Sequence, residues 1–364
     1  MESTQQTKLQ NAQKRLLEWY ALEGRHHLPW RDRKAPNRAY RVLISEIMLQ
    51  QTQVKAVLER FYFPFLDSFP TLQDLSKAEE SEVLSAWCGL GYYSRARNLH
   101  KLAKICIATN ANTTQDSAIP AQALLGDEKN PLPKEIRYLR KLPGIGAYSA
   151  GAIACFGFDL PVSFVDSNIK RILLRLFALK RATPAVLESK AKMILNHQDS
   201  FNHNQALLDL GAMVCLPKNP KCDICPLNDF CLGKQDWQDF TQTKSQQSIP
   251  KTLSLGVWIK DSKIALLQSH DKLYFGLYNF PHIPPNIAKI SQKIGTLKHS
   301  YTKYRLEVLV FLCPLEDKKD SSFSDSLSDF KDSLEFFTRN CLETLPLSSL
   351  ALKVLKILHT KGLF

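Results

Sequence analysis

Four cysteines crowded into one short run, C-L-P-K-N-P-K-C-D-I-C-P-L-N-D-F-C from Cys215 to Cys231, constrain this chain more than any other feature. A loop that short cannot bury a core of its own, so its shape must come from what the thiols hold. The chain starts MESTQQTKLQNAQKR, which is polar and lacks the apolar centre of a secretory signal. A cytoplasmic setting is therefore expected, and with it a metal centre rather than a disulfide framework. Four thiolates bind zinc or an iron–sulfur cluster. Zinc ribbons show two well-separated C-x2-C pairs, whereas here only Cys222 and Cys225 form one. The uneven C-x6-C-x2-C-x5-C spacing favours wrapping a 4Fe–4S cubane. Cys88, Cys106, Cys155, Cys313 and Cys341 are scattered in ordinary or apolar surroundings and read as reduced thiols.

The 364 residues are 44% hydrophobic, which suits two globular domains, and no apolar run is long enough to span a bilayer. A formal charge of +13 suits a polyanionic partner, nucleic acid first and an anionic membrane surface second. Up to the cysteines the texture is helical. Apolar residues recur at helical spacing over 8–23, from Tyr40, and over 134–142, 147–156, 168–180, 184–197 and 203–214, and Thr52 is placed to cap a helix. The stretch from Asn110 to Asn130 reads mostly as surface loop, with an insertion near 121–130. After Cys231 a polar linker is expected over 235–250. Strand-like runs LSLGVWI (253–259), KIALLQ (263–268) and LEVLVFL (306–312) follow, and a helical tail closes the chain over 348–359. The Ser/Asp/Lys-rich piece from Glu316 to Asp332 reads as a flexible surface segment. The expected domains are thus 1–234, mainly α, and 251–364, smaller and α+β.

Four stretches carry possible chemistry. In L-P-G-I-G-A-Y-S-A-G-A (142–152), Gly144 and Gly146 suit a tight hairpin between helices, with positive φ and uncovered amides for a phosphate. In V-D-S-N-I-K-R-I-L-L-R-L-F, Asp166 stands where an N-cap belongs, and also where a carboxylate would face the hairpin. In S-E-I-M-L-Q-Q-T-Q-V, Glu46 lies against Ile44, Ile47 and Met48, so desolvation would raise its pKa toward that of a general acid. In G-L-G-Y-Y-S-R-A-R, Tyr92 stands beside Arg95 and Arg97, a combination that stacks on bases. Each has a plainer reading as well: a turn, a cap, a helix-surface glutamate, a helix start.

Taken together, these stretches resemble the helix–hairpin–helix DNA glycosylases that carry an iron–sulfur cluster. The cysteine spacing and L-P-G-I-G followed by V-D are shared by the endonuclease III and MutY-type branches. The Glu46 helix, Tyr148 in the place of a Schiff-base lysine, and the continuation past Cys231 pull toward the MutY-type adenine DNA glycosylases. That resemblance implies a fold: a mainly α helix–hairpin–helix glycosylase domain with a 4Fe–4S loop, then a smaller α+β Nudix-like domain. It implies hydrolysis of adenine from A:8-oxoguanine or A:G mispairs in double-stranded DNA, by a monomer. Glu46 would be the general acid, Asp166 the stabiliser of the cationic sugar, and Tyr148 and Asn168 their partners. Trp30, Arg31 and Gln205 match the adenine pocket, and Gln51 and Tyr92 the residues beside 8-oxoguanine. Gly144, Gly146, Lys218 and Lys221 would meet the backbone, while Cys215, Cys222, Cys225 and Cys231 hold the cluster. The family's lesion-sensing Phe-Ser-His turn falls on Tyr301-Thr302-Lys303, and no Nudix box is present. Two rivals remain at this level. One is a bifunctional glycosylase and AP lyase for oxidised pyrimidines, with Lys141 or Lys170 as amine. The other is a DNA-binding module without catalysis.

Overall fold

The computed structural model describes residues 2–111, 119–125, 128–240, 248–270, 274–301, 303–314 and 334–364. The chain divides into two compact units: Met1–Lys77 with Lys101–Lys244, and Ala78–His100 with Ser245–Phe364.

The first unit is helical. At its centre, the Arg38–Leu49 helix buries Val42, Leu43, Ile44, Ile47 and Met48, an apolar run that leaves little of the helix to solvent. The Ser167–Leu176 helix buries Ile169, Ile172, Leu173 and Leu176 at helical spacing. Short polar side chains start three of the helices. Asp166 accepts from the Ile169 amide, Thr183 from that of Val186, and Asp199 from that of Asn202. Thr52 does not cap: the helix Val54–Arg60 begins after Gln53, and the Thr52 hydroxyl turns back to the Gln50 carbonyl at 3.4 Å. Thr52 stands one residue before the capping position, so its hydroxyl falls outside the helix start.

The hairpin joins Ile136–Leu139 to Ala147–Ala152, which runs on into a π turn over Ile153–Gly157. Gly144 has φ +78°, the left-handed conformation expected of it. Gly146 does not: at φ −87°, ψ 179° it is extended, and any residue adopts that conformation. Gly151 is constrained by proximity instead. A Cβ there would lie 2.7 Å from the Phe164 Cβ, so the helix packs directly on the segment leading into Asp166.

The expectation of a loose surface loop over 110–130 is corrected where the chain is described; residues 112–118 and 126–127 lie outside the described residues. Leu124–Leu125 pairs antiparallel with Leu132–Pro133. The buried Asn130 accepts from the Leu72 amide at 3.0 Å, and the Lys129 carbonyl from that of Gln73 at 2.8 Å. These two acceptors satisfy amides at the start of the Leu72–Lys77 helix that have no partner within it.

The second unit is α+β. Ile249–Val257 pairs parallel with Tyr304–Leu312, which pairs antiparallel with Gln292–Tyr301. A second sheet joins Lys263–Gln268 to Ile259–Lys260, Tyr278–Asn279 and Glu335–Phe337. The Ser349–Thr360 helix buries Leu350, Ala351, Val354 and Leu358 against Val257, Ile264, Val308 and Val310. The first strand begins at Ile249, inside the stretch expected to be linker, and Trp237–Phe240 forms a 3-10 turn at its other end. Residues 241–247 and the whole Glu316–Asp332 segment lie outside the described residues. Among the described residues no helix is long and apolar enough to cross a membrane.

Gly151→Ala is expected to destabilise the chain by about 1–3 kcal/mol, because the new Cβ meets a Cβ that cannot rotate away. The gain in helix propensity, about 1 kcal/mol, is smaller. The midpoint of urea unfolding measures the outcome, and an unchanged or raised midpoint would refute the packing.

Candidate active site

Glu46 sits in the buried stretch of the Arg38–Leu49 helix and is 7% exposed. Burial pushes its pKa up to about 7. The Tyr148 hydroxyl donates to it and lowers the pKa, the charge of Asp166 raises it, and Arg31 lowers it, but desolvation dominates. Tyr148 comes from the first turn of the Ala147–Ala152 helix, and burial together with the two carboxylates raises its own pKa. Asp166 is half-buried and its pKa is raised, by burial first; the Ile169 and Asn168 amides and the Asn168 side chain pull the other way. Two carboxyl groups 120 positions apart in the sequence thus feel each other's charge across one tyrosine.

Asp166 is held by its own helix. Its oxygens accept from the Ile169 amide at 2.6 Å and from Asn168 Nδ2 at 3.0 Å. Asn168 Oδ1 accepts in turn from Arg171 Nη2 at 2.9 Å. Arg171 also donates to the carbonyls of Gly211 (2.6 Å) and Cys215 (2.7 Å).

Trp30 and Arg31 lie in the 3-10 turn Pro29–Arg31, and both are buried. Trp30 packs edge-on to Tyr62, with ring centroids 5.1 Å apart. The Arg31 guanidinium makes a two-pronged pair with Asp209, at 2.7 Å to each oxygen. Asp209 also accepts from Arg25, through the backbone amide at 2.8 Å and Nε at 2.7 Å. Burial alone would raise its pKa, but Arg31 and then Arg25 hold it below the ordinary carboxylate value. Gln205, 3% exposed, lies one turn before Asp209 on the Ser200–Met213 helix. Asp209 was not singled out in the sequence. The signal was there in L-L-D-L-G, an acid inside an apolar helix face, as with Glu46.

Gln51 is exposed and left-handed, with φ +59°. In the other unit Tyr92, 48% exposed, has φ +50°, and Arg95 lies over its ring at 5.4 Å. Non-glycine residues in this conformation are strained and concentrate at functional sites. Gly144 and Gly146 are exposed, and a Cβ at Gly146 would meet open space. Lys218 and Lys221 are exposed on the cysteine loop, flanking the left-handed Asn219. Tyr301 is half-buried among Tyr274, His299 and Tyr304. Thr302 lies outside the described residues.

Cys215, Cys222, Cys225 and Cys231 line one small pocket with Arg175, Lys221, Lys234 and Trp237. None is in a disulfide. The four thiols surround a shared space, as a centre held by all four requires. Burial pushes Cys225 up to about 12, with Cys215, Cys231 and Cys222 adding repulsion, so thiolates here need a cationic centre. Arg175 Nη1 lies 3.3 Å from the Cys215 sulfur and supplies part of that charge. The donor set fits an iron–sulfur cluster, held by these four cysteines.

Residues 44–197 match the HhH-GPD superfamily of base excision DNA repair proteins, and 215–231 match the iron–sulfur binding domain of endonuclease III. An adenine DNA glycosylase of Buchnera aphidicola subsp. Baizongia pistaciae is 39% identical over 246 residues, 65% of this chain and 63% of its own length. That of Buchnera aphidicola subsp. Schizaphis graminum is 31% identical over 82% of this chain and 86% of its own. The adenine DNA glycosylase of Homo sapiens is 38% identical over 60% of this chain and 39% of its own. A thermostable thymine-DNA glycosylase structure superposes with a TM-score of 0.53 at 24% identity, over 64% of this chain and 99% of that one. This last likeness is one of fold.

Between the ordinary value of 4.5 and about 7, the folded chain keeps a proton on Glu46 that the unfolded chain has released. Stability therefore falls as pH rises through that window. The difference in unfolding free energy between wild type and Glu46→Gln should fall as pH rises across this window; a constant difference, giving parallel curves, would exclude a raised pKa. Asp209→Ala leaves the buried Arg31 guanidinium unpaired and is expected to cost about 3–5 kcal/mol, read from the unfolding midpoint.

Proposed function

We propose that this chain, which belongs to the adenine DNA glycosylases, hydrolyses the N-glycosidic bond of adenine mispaired with 8-oxoguanine, or with guanine, in duplex DNA. The observation that carries the reading is the pairing of a carboxyl group whose pKa is pushed up to about 7 with a second carboxylate, Asp166, close enough to feel its charge. Two acids with different protonation habits are what N-glycoside cleavage requires.

The target adenine leaves the base stack, which costs a few kcal/mol and less at a mispair. Protonated Glu46 donates to N7 of the ring, so that the departing base is neutral. Asp166, fixed as a helix cap and ionised, faces the positive charge that develops on the deoxyribose; water then completes the hydrolysis. Tyr148 orients Glu46 through its hydroxyl, and Asn168 orients Asp166. Trp30, Arg31 and Gln205 line the base pocket, with Arg31 held in place by Asp209. Tyr148 supplies no amine, which speaks against a lyase that works through a Schiff base. The cluster shapes the loop that presents Lys218 and Lys221 to phosphates, alongside the hairpin at Gly144 and Gly146.

We read 1–234 as the glycosylase domain, 235–250 as the join, and 251–364 as a Nudix-like recognition domain without hydrolase activity. Gln51 and Tyr92, both held in strained conformations, are the residues assigned to wedge beside the lesion. Tyr301 and Thr302 are assigned to sensing it. The enzyme works as a monomer on DNA in the cytoplasm, at the nucleoid in a bacterium.

Duplexes carrying A opposite 8-oxoguanine, G, C or T, incubated and then cleaved with alkali, test the reading. Strand breaks at A opposite 8-oxoguanine and G, and not opposite C or T, are expected. Glu46→Gln should slow release by about 10²–10⁴-fold, and the wild-type rate should fall as pH rises through the Glu46 pKa. Full base release by Asp166→Asn, or efficient borohydride crosslinking lost with Lys141 or Lys170, would overturn the mechanism.

A further inference from the structure

Tyr92 is the exposed tip of a turn whose backbone is left-handed almost throughout. Gly89 (φ +90°), Gly91 (φ +77°) and Tyr92 (φ +50°) all adopt that conformation. For a tyrosine it is strained, and it persists only where the surroundings over-determine it. Part of the restraint is local. Trp87 Nε1 donates to the Gly91 carbonyl at 3.2 Å, and Arg95 Nη2 donates to it at 3.0 Å. The Tyr93 hydroxyl accepts from the Gly89 amide at 3.2 Å.

The rest of the restraint comes from far along the chain, within the same compact unit. Tyr93, 5% exposed, donates its hydroxyl to the Leu347 carbonyl at 2.9 Å, across 254 positions of sequence. The Cys88 thiol donates to the same oxygen at 3.1 Å. A carbonyl oxygen has two acceptor sites, and the turn that carries Tyr92 fills both. Leu347 is well fixed. It is buried in the core of this unit, between Pro346, whose carbonyl accepts from the Tyr278 amide at 2.9 Å, and Ser348, which caps the Ser349–Thr360 helix. A second tether lies nearer the surface. Arg97 donates to the Phe275 carbonyl, its guanidinium lies 5.4 Å from the centre of the Phe275 ring, and its Nε donates to Glu80 at 3.0 Å.

We infer that Tyr93 and Arg97 are positioning residues for reading the base opposite the adenine: they fasten the Tyr92 turn to the C-terminal part of the chain, so that the unit carrying Tyr301 also sets the pose of Tyr92. The inference rests on the assignment of Tyr92 to the lesion and adds what holds it there. A side chain that separates 8-oxoguanine from guanine by contact must be placed to within about 0.5 Å. A strained turn freed of its tethers relaxes toward ordinary backbone and loses that placement. Glu46 and Asp166 belong to the other unit, so loosening the turn costs selectivity rather than chemistry.

The test compares kcat/KM for base release from A:8-oxoguanine and A:G duplexes. Tyr92→Ala should lose the preference for 8-oxoguanine. Tyr93→Phe keeps the ring, removes the hydroxyl bonded to Leu347 and Gly89, and should lower the preference about tenfold. Arg97→Gln, at the outer tether, is expected to fold normally and to lower it about threefold. A loss of folded enzyme lowers both rates alike and leaves their ratio unchanged. Added to Tyr92→Ala, Tyr93→Phe should change the ratio no further, because nothing is left to position. A wild-type ratio in Tyr93→Phe or Arg97→Gln, or additive effects of Tyr92→Ala and Tyr93→Phe, overturns the positioning role and leaves the adenine reading standing. Failure of the wild type to release base from either duplex sinks that reading, and this inference with it.

Discussion

The hydrogen bond from the Ile169 amide to Asp166 is the contact on which the arrangement rests. It starts a helix, and it also fixes a carboxylate at that helix's positive end, facing Tyr148 and Glu46. The same helix carries Arg171 and Arg175 one turn apart, and both reach Cys215, through its carbonyl and its sulfur. The cap, the carboxylate and the anchoring of the cysteine loop are therefore set by one rigid element. The fit is close: a Cβ at Gly211 would lie 2.5 Å from that of Asn168, so the neighbouring helix is pressed directly against the residue that steadies Asp166.

Environment separates the acids of this unit. Asp209 is as buried as Glu46, but it receives guanidinium groups from Arg31 and Arg25 and stays ionised. Glu46 has a tyrosine hydroxyl and only a distant share of Arg31, and desolvation prevails. Removing a carboxylate from water raises its pKa unless donors and cations replace the lost hydration. Here that replacement is complete for one residue and partial for the other, which leaves a permanent anion to position Arg31 and a group able to hold a proton.

How much of this could be read from the residues varied with the range of the interaction. Glu46 and Asp166 were legible because their immediate neighbours define them: an acid amid isoleucines and methionine, and an acid before an amphipathic run. Asp209 was not, because its meaning depends on Arg31 and Arg25, nearly 180 or more positions away. The cysteine loop was legible from spacing alone. The strand Gln292–Tyr301 was missed because its exposed face carries Lys293, Lys298 and Ser300 and its inward face mixes Ile294 with His299, so the alternation of polarity is blurred. The surface-loop reading of 110–130 failed where Asn130 turns inward to accept from a helix amide, a use of a side chain that composition cannot distinguish from solvation.

The π turn at Ile153–Gly157 has a consequence for how this helix tolerates change. A π turn is an α-helix with a surplus residue looped into one turn. Deleting that residue would close the ladder to ordinary α-helical pairing, yet it would rotate everything upstream relative to everything downstream by about 100°. Upstream stands Tyr148, against Glu46; the turn itself ends on Gly157, where a Cβ would come within 3.1 Å of the Ala39 backbone. Both ends bear on the Arg38–Leu49 helix, so the irregular turn sets the phase between them. A shorter, tidier helix would turn the tyrosine away from the acid it serves.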